Sequence, residues 1–189
     1  MHVLLCYSAG MEWFAVQVLT GKEKEYRLFA NSLVPVEQQA KLYIPTRRMV
    51  IRRRGTEIAE ERPVYSGYIF LVSDTMSPEQ AGLYRRVPGF VRWVGTDGRP
   101  QGIRTEDLEV LHHLLSHGEI LGISRARYDE NMRIQVIEGP LKGLEGRIVR
   151  VDKRKRRARV RLDLYNNSFE VDFGFELIEE REKDARNHD

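Results

Sequence analysis

The chain contains one cysteine, Cys6, in 189 residues. That excludes an internal disulfide and any cysteine-based zinc cluster, and makes a reducing cytoplasm the simplest setting. No run approaches the roughly 18 apolar residues of a membrane-spanning helix. With 31% charged residues and a mean hydropathy of −0.48, the chain reads as soluble, with no membrane partner. The opening MHVLLCYSAG lacks a basic start, and its apolar run is too short for a signal peptide. Residues 1–11 therefore read as a disordered or mis-assigned start, with Met11 an alternative beginning for the folded part.

Catalytic signatures are also missing. His113 and His117 sit four apart on an expected helix, but the segment HLLSH lacks the glutamate of a zinc-protease motif, and no third ligand is evident. A solvated helix face accounts for them. Gly139, Gly143 and Gly146 are followed by no Gly-Lys-Ser/Thr, so they read as turn residues requiring positive φ and not as a phosphate loop. No nucleophile–base arrangement stands out. The expectation is a monomeric non-enzyme without metal or cofactor.

What the chain does have is clustered charge. The net charge is only +3, with a pI near 9.0. Cations concentrate in 47–54 and 147–161, acids in 57–61 and 176–184. Residues 147–161 hold nine Lys/Arg and one acid, Asp152. Adjacent strands carrying that much like charge repel unless an anion or another chain lies across them. Arg47, Arg48, Arg52, Arg53 and Arg54 are answered by Glu57, Glu60 and Glu61 on a returning strand. Such exposed pairs contribute only about 0–1 kcal/mol each, and the excess arginine suits a nucleic-acid backbone. The turn of Lys153, Arg154, Lys155, Arg156 and Arg157 has no adjacent acidic strand in the sequence. Beyond it Arg159 and Arg161 alternate with Val160 and Leu162, which places the arginines outward.

Periodicity organises the rest. Residues 12–19 and 65–73 read as buried strands, 41–54 and 57–62 as a hairpin around Gly55-Thr56, and 90–94 as a further strand. Helices are expected over 22–33, with Tyr26, Phe29, Ala30 and Leu33 inward; from Ser77-Pro78 to about Arg86; and from Thr105, with Leu108, Leu111, Leu114 and Leu115 inward. This is an α+β sandwich with an antiparallel sheet, spanning 12–117. Periodicity lapses over 118–127, which reads as a short linker. Five short strands at 133–138, 145–152, 158–164, 169–173 and 176–178 suggest a small β-barrel over 128–180, followed by a charged tail at 181–189.

These residues resemble a known family. Glu138-Gly139-Pro140-Leu141-Lys142-Gly143 with Glu145-Gly146 between two strands is similar to a KOW domain. Trp13-Phe14, Tyr65-Ser66-Gly67-Tyr68-Ile69-Phe70 and Val87-Pro88-Gly89-Phe90-Val91 resemble the NusG N-terminal domain, in the family's domain order. Ser66 stands where many relatives carry proline. The segments GPLKG and DKRKRRA look most like the LoaP group of specialised paralogs.

The resemblance implies a transcription elongation factor. Its first domain would dock an apolar cavity, here Phe14, Tyr65, Tyr68 and Phe70, onto the clamp helices of RNA polymerase. Strand alternation puts Tyr68 and Phe70 on one face and Ile69 and Leu71 on the other. One face can then meet a partner, or both can be buried, one under helices and one under a neighbouring strand. Tyr84, Arg85 and Arg86 would face non-template DNA, where cations and an aromatic suit unpaired bases; a solvated helix end accounts for them equally. The LoaP likeness implies operon-specific antitermination recruited by an RNA hairpin. Tyr165 would lie at the edge through which the second domain meets a small-subunit ribosomal protein or termination factor. Two alternatives remain: a general factor coupling polymerase to the ribosome, and a ribosome-associated RNA-binding protein that uses the barrel alone.

Overall fold

The computed structural model describes residues 11–165 and 167–178. The readings for 1–10 and for the tail lie outside the described residues. Along the chain run β1 (Glu12–Val18), α1 (Glu23–Leu33), β2 (Lys41–Tyr43), β3 (Thr46–Arg53), β4 (Thr56–Pro63), β5 (Tyr68–Ser73), α2 (Pro78–Arg85) and β6 (Phe90–Trp93). There follow α3 (Thr105–Ser116), β7 (Ile120–Leu121), β8 (Ser124–Tyr128), β9 (Ile134–Glu138), β10 (Ile148–Asp152), β11 (Arg157–Leu164) and β12 (Asn167–Leu177).

Strands β2, β5, β1 and β6 form an antiparallel sheet in that order. Its period-2 alternation sorts side chains between two cores. Phe14, Val16, Val18, Ile69 and Leu71 face α1 and α2, against Tyr26, Ala30, Ala81 and Tyr84. Trp13, Ala15, Tyr68 and Phe70 face the other way, against Leu111 and Leu114 of α3 and Val160, Leu162 and Phe173 of the C-terminal half. Both faces of the sheet are therefore covered, and the second of the two cores joins the sheet to the C-terminal half.

The helices follow local rules unevenly. Ser77 caps α2 as expected, its Oγ accepting the Gln80 amide at 3.1 Å ahead of Pro78. In α3, Thr105 is the first helical residue; Arg104 occupies the cap position, where its side chain makes no capping hydrogen bond. On α1 the buried stripe is Glu23, Tyr26 and Ala30, continuing to Val34, while Phe29 and Leu33 are 38% and 58% exposed. The expected inward placement of Phe29 and Leu33 is thus corrected: they lie to one side of the stripe that meets the sheet.

Glu23 is buried for a specific reason. Its carboxylate accepts the Gly67 amide at 2.6 Å. Gly67 has φ +81°, and a Cβ there would come within 2.9 Å of Thr20 Oγ1. A tight turn therefore delivers a backbone donor that Glu23 satisfies. Glu23→Ala orphans that donor and is expected to cost about 1–3 kcal/mol, read as a lower urea midpoint at an unchanged m-value.

The stretch read as a linker is structured. Residues 120–121 form β7, paired parallel with β3, and 124–128 form β8, paired parallel with β12. Its inward residues are Ser124 and Ala126, both fully buried, which are too small and polar to register as a hydrophobic alternation. The expected strands at 169–173 and 176–178 are one strand, β12, because Gly174 pairs straight across to Arg157. The resulting sheet, β10-β11-β12-β8-β9, is curled, with β9 and β10 as its two edges. Gly139 and Gly143 have positive φ, as expected; Gly146 does not.

Candidate functional site

The four residues expected to dock a partner divide between the two faces. Phe14 belongs to the helix-side core, 4% exposed, because its neighbours in β1 alternate around it. Tyr65, Tyr68 and Phe70 lie together on the opposite face, 1%, 9% and 0% exposed. Phe169 of β12 lies over them, its ring edge-on to both Tyr65 and Tyr68 at 5.4 Å. Tyr65 is also edge-on to Phe70 at 5.4 Å. Burial pushes the Tyr65 phenol well above its ordinary pKa, and its hydroxyl finds no hydrogen-bond partner among the described residues. The cover is therefore a β-strand, and the polar atom beneath it is poorly served.

A second contact joins the halves beside this one. Asp107 of α3, 6% exposed, accepts the Tyr165 amide at 2.9 Å, with Arg104 3.5 Å away. The Tyr165 hydroxyl donates to the Gln101 carbonyl at 2.7 Å. Tyr165, read as a partner-facing residue, instead closes the seam, held in a turn with φ +48°. His113 Nε2 lies 3.1 Å from the Pro140 carbonyl at the same seam. Among the described residues no three His, Cys, Asp or Glu side chains converge as a metal site.

Tyr84 is fully buried: its hydroxyl accepts the Ala40 amide at 2.7 Å and its carbonyl accepts from Tyr26. Stacking on unpaired bases would require unpacking α2, so of the expected trio only Arg85 and Arg86 face solvent. Arg85 donates to the Gly98 carbonyl at 2.7 Å.

The arginine runs are partly neutralised. Arg48 pairs with Glu61 at 2.9 Å, Arg53 with Glu60 at 3.9 Å, and Arg62 with Glu60 at 2.9 Å. Arg47 donates to the Pro63 carbonyl, Arg52 donates to the Gly55 carbonyl, and Arg54 forms the hairpin tip with φ +49°. On the C-terminal sheet, β12 supplies the acids that a local reading of the basic turn missed. Arg159 grips Asp172 with two bonds of 2.7 and 3.2 Å, and Arg161 reaches Glu170 at 3.4 Å. The Arg159 bond holds the Asp172 carboxyl below the usual range. Lys153, Arg154, Lys155 and Arg156 remain exposed, with Lys153 over the Tyr128 ring at 4.5 Å.

Tertiary structure brings the two basic runs together. β3 lies against β12 there: a Cβ at Gly174, opposite Arg157, would come within 3.7 Å of the Arg48 carbonyl. Burial pushes the Arg47 guanidinium down to about 10, with Arg62 and Arg157 adding repulsion and Asp172 opposing it. No periodicity in the sequence signals this junction.

Comparison with known proteins bears on the same segments. A family model described as transcription termination factor nusG matches residues 11–112. The transcription termination/antitermination protein NusG of Vibrio parahaemolyticus is 26% identical over 172 residues, covering 88% of this chain and 94% of that protein. Its Synechocystis counterpart is 26% identical over 189 residues, covering 89% of each. A solved structure of the domain interaction in Thermotoga maritima NusG superposes with a TM-score of 0.56 at 17% identity, over 87% of this chain and 93% of that one. The matched family model spans more than half of the residues, including the sheet that carries Tyr65, Tyr68 and Phe70, and the chain belongs to the NusG family.

Proposed function

We propose that this chain is a transcription termination/antitermination factor that binds RNA polymerase through the sheet face bearing Tyr65, Tyr68 and Phe70. The observation that carries this reading is a cluster of aromatics, on the family-matched sheet, with the half-buried Phe169 of β12 lying over Tyr65 and Tyr68. Partner binding then exchanges one cover for another: the C-terminal sheet moves off, and an apolar partner surface takes its place. A partner that engages only the open form shifts the population toward it. Arg85 and Arg86, with the exposed arginines of the β3–β4 hairpin and the exposed turn of Lys153 to Arg156, face the nucleic acid of the transcribing complex. The likeness to the LoaP group extends the proposal to antitermination on selected operons, recruited by an RNA hairpin read through shape and phosphate contacts. The C-terminal sheet then acts as the KOW module.

Tyr68→Ala tests the docking face, since Tyr68 retains more exposure than its neighbours. Capture of purified polymerase core is expected to fall at least tenfold, with far-UV circular dichroism unchanged. A folded variant that binds like the parent sinks the docking face. Sequencing RNA that copurifies from cells addresses the operon restriction: reads confined to a few leaders support it, and reads spread over all transcripts favour a general elongation factor.

A further inference from the structure

Tyr65 brings a polar atom into the aromatic cluster and leaves it unserved. The residue is 1% exposed, and its hydroxyl is buried with no hydrogen-bond partner among the described residues. Rings from both halves of the chain close on it: Phe70 of β5 and Phe169 of β12 are each edge-on at 5.4 Å. Two carboxylates act on the hydroxyl through space, Asp107 of α3 and Asp163 of β11, one from each side of the seam. Both are engaged elsewhere. Asp107 accepts the Tyr165 amide at 2.9 Å; Asp163 accepts the Ser168 hydroxyl at 2.6 Å and lies 3.5 Å from Arg147. A buried hydroxyl without a partner costs the closed form its desolvation. A phenylalanine would make the same ring contacts without that cost. The hydroxyl therefore works against closure, and removal of β12 frees it to find an acceptor.

We propose that the Tyr65 hydroxyl is the partner-reading group of the docking face: unserved beneath β12, it is satisfied when the protein surface that replaces β12 presents a carbonyl or carboxylate oxygen to it. The inference deepens the docking reading above and rests on it. The partner surface is then apolar around one acceptor, not apolar throughout. A partner without that acceptor buries the hydroxyl unserved again and gains nothing over β12 at this point. Tyr65 thus discriminates between partners in a way a phenylalanine does not. The same group biases the free protein toward the open form that a partner engages.

The test uses the full chain and purified polymerase core. Tyr65→Phe is expected to keep the far-UV circular dichroism of the parent. Without polymerase, hydrogen exchange at the Tyr165 amide reports separation of the halves, because Asp107 holds that amide across the seam. In Tyr65→Phe this exchange is expected to slow about fivefold or more, since the closed form no longer buries an unserved group. Capture of polymerase is expected to fall by that factor and by about threefold or more beyond it, the share lost with the hydrogen bond to the partner. Tyr128→Phe makes the same chemical change on β8, where the Tyr128 hydroxyl is also buried without a partner among the described residues. It is expected to change both readouts less than twofold. Tyr165 exchange that is unchanged or faster in Tyr65→Phe, or capture that falls no further than exchange slows, overturns the inference. Undiminished capture by Tyr68→Ala is a different result, and removes the docking face itself.

Discussion

Phe169→Ala is expected to raise the affinity for RNA polymerase, a gain of function from truncating a core-facing ring. Phe169 contributes edge-to-face contacts to Tyr65 and Tyr68 at 5.4 Å each. Such pairs are worth about 0.5–1.5 kcal/mol apiece beyond the area they bury. Losing both removes about 1–3 kcal/mol from the closed arrangement, and the open population rises by about 5- to 150-fold. Phe169 is only partly buried, whereas Val160, Leu162 and Phe173 of the same cluster are at most 1% exposed, so truncating Phe169 leaves most of the C-terminal sheet's apolar face in place. Two measurements check the outcome: capture of polymerase core, and hydrogen exchange at the Tyr165 amide, which Asp107 protects only while the halves are joined. Tyr68→Ala and Phe169→Ala should move binding in opposite directions. If both variants lower it, the aromatic cluster is structural and the docking face lies elsewhere.

Gly139→Ala is expected to unfold the C-terminal sheet at moderate denaturant. Gly139 has φ +96°, and a Cβ there would come within 2.7 Å of the Ser124 Cα and 2.9 Å of its Oγ. Ser124 has nowhere to retreat: it is fully buried, and its Oγ accepts the amide of Leu141, itself fully buried, at 3.0 Å. Left-handed backbone costs a non-glycine residue about 1–2 kcal/mol, and forcing atoms into a packed site adds about 1–3 kcal/mol. Gly143→Ala separates these effects, because its φ is +87° but the nearest atom to a Cβ is His113 Cε1 at 3.7 Å. Urea titration is therefore expected to place Gly143→Ala near the backbone cost alone and Gly139→Ala well beyond it. Equal costs would mean that Ser124 yields.

Much of the architecture is legible in the chain because it depends on near neighbours. Ser77-Pro78 announces α2, and the alternation in YIFLV sorts β5 between its two faces. Gly139 and Gly143 mark turns that no other residue makes cheaply. What the chain does not announce shares a cause. β8 carries no hydrophobic alternation because its inward residues are Ser124 and Ala126; the partner roles of Phe14 and Tyr84 come from the resemblance, and an aromatic's local pattern does not say how deeply it is buried. The aromatic face itself was legible, its cover was not, since Phe169 lies about a hundred residues further along the chain.

From its sequence alone this protein determines its strands, helices and turns, its family, and the presence of two arginine-rich segments and one aromatic face. Only the tertiary structure decides that the aromatic face is closed by β12 and that β3, with its arginines, lies against β12 beside the second arginine segment. The physical reason is range. Periodicity, capping and backbone strain act within a few residues, whereas burial of Tyr68 under Phe169 and the packing of β3 against β12 come from contacts between distant parts of the chain, made only when the whole core assembles.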